Sequence, residues 1–596
     1  MTRRAVEGLY ISATLSCRLQ ERVAWHDSYV PDNHWKGHGM SHWKTAAALA
    51  LWVAVMADDA LAHDPIVSAK AEQTGVQNAV PLYDNLGDLS YPITTQNPLT
   101  QRYFDQGLRL TYAFNHAEAL RAYREAQRLD PTCAACAWGQ AFVLGPNINA
   151  PMDDAANHPA VTAIQKAQAL AKPASEREQA LIDALAKRYS TDPEADRGVL
   201  NQAYAAAMAA AWQRFPDDQE IGFFYVDAIM NVSPWDYWEP DGQTPKGKIG
   251  DAIQAAEKIL SINPNHAGAI HLYIHLTEAS TTPQRAEPYA NRLASLMPGA
   301  GHLVHMPSHT YYRVGRYEDS AQTNKMAVQA DETYLTEANS DNIYRFGYYP
   351  HNIHFVLVSA QMAGDGPTTM AYAKRLEGKI PDAIAAQVGW VQAIRTAPYF
   401  AHAQFSSAET ILALPDPGDT FPLIKAMWHY ARGVALAAQN EVEKAKSEAA
   451  HIAELNRKTD FSALLAWAVP APDLLNLARH VIEGRIAQSQ GDLAGAIKEF
   501  EIAVTIQDTL AYMEPPYWYY PVRQTLGAAL MQAGRAQEAE AVFEQTLKNV
   551  PKNGWALYGL METQKAQGKQ EVARATQKRL QHAWSGDLAQ LDLGRL

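Results

Sequence analysis

The chain has 596 residues, with 51 basic against 64 acidic side chains and a net charge of −13. An acidic balance without a basic stripe excludes nucleic acid as a partner. No segment is low-complexity, and length alone leaves several domains or one long solenoid open.

The first predicted element is a leader over residues 1–62. After Met40, Lys44 flanks an apolar run from Thr45 to Met56, and Ala60-Leu61-Ala62 supplies a small-x-small cleavage site. That is the layout of a secretory signal peptide over 40–62, with 1–39 as a possible upstream extension. The run is too short to span a bilayer, so the expectation is an exported, periplasmic protein without membrane contact after cleavage. Residues 63–98 are expected to be an extended N-terminal segment.

Helical periodicity is nearly continuous from about residue 99 onward. Residues 99–245 are expected to form divergent helix pairs, beginning with a second-of-pair helix in Asn115–Pro131. Cys133 and Cys136 lie at an expected helix start in this region, where thiol pKa is lowered, so the pair is a disulfide or a redox couple. In an exported protein a structural disulfide is the simpler reading. No His follows Cys136, so covalent haem attachment is not indicated. Asn147 and Asn149 in GPNINAPM are expected to order a turn.

Residues 246–420 hold the most informative pattern. His271 and His275 stand in HLYIH, His302, His305 and His309 in HLVHMPSH, and His351 and His354 in PHNIH. Pro264 and Pro298 are 34 residues apart, and counted from them His271 matches His305 and His275 matches His309. At ~100° per residue, His271, His275 and Glu278 share one helix face, and His302, His305 and His309 share another. His351 and His354 form a shorter third set. Helix axes ~8–10 Å apart let such faces hold one ion between them. His266 points about 140° away from His271 and is left out, and Met306 is expected in the core.

Residues 421–596 show the repeating unit most plainly, with Gly534 and Gly568 again 34 apart. This spacing, with a small residue at the turn and Pro after the second helix, resembles the tetratricopeptide (TPR) repeat. More narrowly, CAACAWG, GPNIN, HLVHMPSH and PHNIHF resemble segments of an exported bacterial TPR-like family, over most of residues 99–590. The resemblance implies an all-α, right-handed superhelical array of helix pairs, an α-solenoid, with the His faces on its concave wall. It implies no settled activity.

The site chemistry therefore comes from the residues. The seven histidines are the candidate metal ligands, and Glu278 is the candidate catalytic group, as general base or as a carboxylate orienting an imidazole. The candidate substrate-binding residues are Asp227, Trp235, Trp238, Tyr348, Tyr349, Glu514, Tyr517, Trp518 and Arg523. Imidazole suits copper and zinc alike, and the shortage of carboxylates favours copper. The absence of HExxH disfavours a zincin protease. The leading expectation is copper-dependent oxidation or dioxygen chemistry on a small organic substrate. The alternatives are a zinc hydrolase on the same residues, a TPR module binding a peptide or protein around a structural metal, and a metal carrier.

Overall fold

Local signals set where the helices begin and end. Asn97, Asn115, Asp218 and Asn553 each accept a backbone N–H of the first helical turn beside them. Ser175 and Glu178 form a reciprocal capping box. Gly534 and Gly568 close their helices at φ 74° and 75°, a conformation that costs glycine little.

The computed structural model describes residues 80–338 and 342–596, so the expected leader lies outside the described residues. Among the described residues the regular structure is helical, with only the isolated bridges Asn147–Ala150 and Trp238–Pro245 besides. Helices pack chiefly on their sequence neighbours: Pro98–Tyr112 on His116–Leu129, Ala471–Ser489 on Leu493–Thr509, Gly554–Ala566 on Gln570–Ala583. The chain is an all-α solenoid of TPR-like helix pairs. No helix among the described residues is long and apolar enough to cross a membrane.

Two helices depart from the sequence reading. HLVHMPSH does not form one helix: Gly301–His305 ends at Met306, and Pro307–Arg313 starts anew. Pro307 lacks the N–H that would continue the first helix. Before His351, a π-helical turn spans Tyr344–Tyr348 and runs into the helix Tyr349–Ala363. Such turns re-aim side chains within a helix.

The C-terminal repeats fold back on the His-bearing ones. The Tyr317 hydroxyl donates to Pro551 O (3.2 Å), the Ser585 N–H to Ala363 O (2.8 Å), and the Tyr519 hydroxyl to Ala397 O (3.3 Å). The wall that carries the histidines is therefore covered. Every residue of the helix Ala267–Glu278 is buried. Ile270, Leu272, Ile274 and Leu276 are fully inaccessible, and each contributes about 1.5–3 kcal/mol by burial. That packing holds a helix whose two imidazoles are themselves unfavourable to bury.

Candidate metal centre

Six histidines meet in two adjacent groups. His271, His275 and His302 form the first, and His305, His309 and His351, with Glu514, form the second. Within each group the ligand atoms lie within 4.8 Å of one another. The grouping differs from the helix-by-helix sets expected from sequence. His302, one turn before His305, reaches back to the preceding repeat, and His351 comes forward from the following one.

Backbone and side-chain acceptors fix the outer nitrogens. His271 Nδ1–H donates to Tyr112 O (2.6 Å) and His275 Nδ1–H to Glu278 Oε1 (2.7 Å). His309 Nδ1–H donates to Glu278 Oε2 (2.7 Å) and His305 Nδ1–H to Asn324 Oδ1 (2.5 Å). Asn324 is itself oriented, since its Nδ2 donates to Ser320 O (2.8 Å). In neutral rings these contacts place the hydrogen on Nδ1 and leave a bare lone pair on Nε2.

Those lone pairs face one another. The Nε2–Nε2 separations are 3.1 Å for His271 and His275, 3.2 Å for His271 and His302, and 2.7 Å for His305 and His309. For His271 with His275 and His305 with His309, both neutral rings turn their hydrogens outward, and a cation between them relieves the repulsion. His302 Nδ1 has no acceptor, so its ring is free to carry the hydrogen on Nε2 and donate to His271. Two imidazoles bound to one ion at 2.0–2.1 Å, at 90–110°, stand about 2.9–3.4 Å apart. The two first-group separations fall in that range, and the 2.7 Å between His305 and His309 lies just below it, so the second group fits an ion once those rings part by a few tenths of an ångström.

The electrostatics agree at five of the six rings, His309 being the exception. Burial, with the neighbouring imidazoles, holds His271, His302 and His305 well below the usual imidazole range. Burial brings His351 down to about 4. Neutral imidazoles are the form a metal takes. Burial opposes the charge on His309 too, but the Glu514 and Glu278 carboxylates outweigh it and raise its pKa. Burial would raise Glu278, yet His309 and His275 hold it at about 2. Burial and the nearby Glu278 charge push Glu514 up to about 8, against the pull of His309.

Glu278 thus links the groups from behind, one oxygen to a ring of each. Glu514 Oε2 lies 3.2 Å from His309 Nε2 and 3.3 Å from His351 Nε2, so it joins the second group on its inner side. The sequence reading counted Glu514 among the substrate handles and took Glu278 as the one carboxylate on these faces. His354 stands outside both groups. Three residues turn its ring about 60° from His351. It lies 6.1 Å from the Tyr519 ring with neither nitrogen bonded.

The expected substrate-side residues divide. Trp235, held at φ 67°, sets its ring 5.2 Å from His275, and the Tyr348 ring is 4.7 Å from His302. Trp238 instead donates from Nε1 to Leu276 O (2.9 Å), clamping the helix that carries His275. Tyr349 donates to Glu332 Oε1 (2.6 Å), away from the histidines. Asp227 is buried and raised to about 6 by that burial, outside both groups. Trp518 packs its ring on Phe400 and Tyr430. Arg523 pairs with Asp508, and the Tyr517 hydroxyl donates to Ala468 O (3.0 Å). Cys133 and Cys136 are disulfide-bonded and buried.

Sequence reasoning missed four contributors. Phe114, at φ 52°, lies 4.4 Å from the His271 ring and 5.5 Å from His302. Phe355 backs the second group, 4.8 Å from His305 and 5.3 Å from both His309 and His351. Its place four residues after His351 was the available signal. Tyr512, from a loop 234 residues away, donates its hydroxyl to Glu278 Oε2 (2.9 Å). Asn149 orders more than its own turn, since its Nδ2 donates to the Tyr348 hydroxyl (3.3 Å).

No family model and no curated protein sequence matches the chain. Among solved structures it is similar to a human IFIT1 dimer with m7Gppp-AAAA, at 13% identity over 82% of this chain and 90% of that one, TM-score 0.31. It is also similar to yeast Tom70, at 10% identity over 82% and 93%, TM-score 0.26. The TPR domain of P58(IPK) is similar at 13% identity over 83% and 95%, TM-score 0.21.

Proposed function

We propose that this chain is a metalloenzyme that binds two transition-metal ions, one in each tri-histidine group, and oxidises a small organic substrate, with copper as the metal. The observation that carries the reading is the convergence of Nε2 atoms at 2.7–3.2 Å in both groups, with the outer Nδ1 of His271, His275, His305 and His309 each held by an acceptor. Copper bound there would supply one-electron and dioxygen chemistry. Imidazole donors dominate both groups, and Glu278 spends both oxygens on Nδ1–H groups rather than between the ions, which favours copper over a carboxylate-bridged hydrolytic pair. Phe114 packs against the first group and Phe355 against the second. Glu278 holds one ring of each group in the tautomer a metal needs.

The Glu514 oxygen on the second group favours a second reading, a zinc hydrolase, because zinc sites combine imidazoles with a carboxylate. An exported location is part of the proposal, and the buried Cys133–Cys136 disulfide supports it. Elemental analysis and an absorption spectrum of protein purified with its own leader test both readings. Two coppers with an oxygen-dependent near-ultraviolet band are expected. One or two zincs turn the function to hydrolysis. Less than about a tenth of an equivalent of any transition metal after reconstitution sinks the centre and leaves a peptide-binding TPR array.

A further inference from the structure

A cavity of about 300 Å³ opens beside the second histidine group. That size lies at the lower end of ligand sites, which run about 300–1,000 Å³. His309 and Glu514 are in its wall, and both belong to the second group. The wall is otherwise strongly aromatic, with the rings of Tyr312, Phe355, Tyr512 and Tyr517. Such a lining suits a flat ring.

Its charges are uneven. Arg523 is neutralised by Asp508. Arg313 is not neutralised: its Nε donates to Glu278 O (2.7 Å) and its Nη2 to Ser280 O (3.2 Å), and both acceptors are uncharged carbonyls. The guanidinium lies 5.6 Å from the centre of the Tyr512 ring, on the same cavity wall. Among the described residues it pairs with no carboxylate, and its Nη1 is left to donate. A guanidinium in an aromatic, partly desolvated wall recognises a carboxylate.

We propose that this cavity is the substrate chamber of the centre and takes a small, single-ring aromatic carboxylate. Arg313 holds the carboxylate, the tyrosine rings flank the aromatic ring, and the far substituent points to His309 and Glu514. The assignment rests on the metal reading only for what happens at that far end. The binding itself needs the cavity and Arg313.

The test titrates 4-hydroxybenzoate and its neutral isostere 4-hydroxybenzamide into the full chain by calorimetry, with metal content measured on the same samples. The acid is expected to bind at least about tenfold more tightly than the amide, the scale of one charge-assisted hydrogen-bond pair. Arg313→Gln is expected to abolish that preference by bringing the acid down to the affinity of the amide, while Arg313→Lys restores part of it. The comparison of acid with amide in the unaltered protein needs no variant to fold. Metal-replete protein that binds neither, or both equally, overturns the chamber and leaves the centre standing. Protein that takes up no metal yet prefers the acid through Arg313 supports the chamber and removes the oxidative reading.

Discussion

Glu278 is the residue on which both histidine groups depend, because each of its oxygens accepts an Nδ1–H from a different group. Glu278→Gln keeps one acceptor and turns an NH2 toward the other ring, forcing His275 or His309 out of its tautomer. Metal affinity is expected to fall by about 10–100-fold at one group or both. Asn324→Ala frees only His305, so it should weaken the second group alone. Metal stoichiometry after dialysis against a graded chelator separates the two, and unchanged helical circular dichroism shows that the fold survives. Asp331 gives a different test at this scale. It is fully buried, accepts from the Tyr344 hydroxyl and from Asn352 Nδ2 (2.7 Å each), and is raised by burial to about 7. An acid whose pKa is higher folded than unfolded binds more protons in the native state. Stability therefore falls as pH rises from about 4 to about 7 and is flat above, by at most roughly 4 kcal/mol. Asp331→Asn should remove that slope, since its amide can donate to the otherwise unpaired Asn352 Oδ1. Urea unfolding at pH 5 and pH 8 measures it, and an equal slope in both proteins rules the account out.

Individual helices show what was legible in the sequence and what was not. The 34-residue step between His271 and His305 was readable because equivalent helices repeat the same register. A second register emerges in the structure: His305 with Asn324, His429 with Glu448 and His480 with Glu499 are each 19 residues apart, and each His Nδ1 meets the second residue. A first-helix histidine is thus held by an acceptor on the second helix, and only at His305 does the free nitrogen join a buried cluster. The split at Pro307 was written in the sequence and missed because the histidine spacing spans it. Tyr512 and Phe114 were not legible, since they arrive from loops whose path depends on the curvature of the whole array. Turn glycines test that curvature. Gly534 has φ 74° and open space around it, so Gly534→Ala should cost only about 1 kcal/mol of backbone strain. Gly364 has φ 80°, and a Cβ there collides with the Trp584 ring of the last repeat. Gly364→Ala should cost about 2–4 kcal/mol, strain plus displacement of the indole. Denaturant midpoints of the two variants check the contrast, and equal losses would mean that the Trp584 contact holds nothing in place.

Across the whole molecule, the first and last thirds of the chain meet at the histidines. Residues from the Phe114 turn, three histidine-bearing repeats and the 510–521 loop all touch the two groups. Each ion bound at a thousand times its dissociation constant adds about 4 kcal/mol to the folded state. That energy is shared by every segment that must be in place for the ligands to converge. It follows that metal loading should slow amide exchange in segments far apart in sequence, at 267–278, 301–313, 349–363 and 510–521 together. The repeats 522–583 that only pack behind them should change less. In Glu514→Ala protein the second group keeps three imidazoles but loses the oxygen that ties the loop to the ion. Residues 510–521 should then exchange as fast with metal as without it, while the three histidine helices remain protected. Protection of the loop that survives this substitution would place Glu514 outside the ligand set. The loop would then be held by Tyr512 on Glu278 alone.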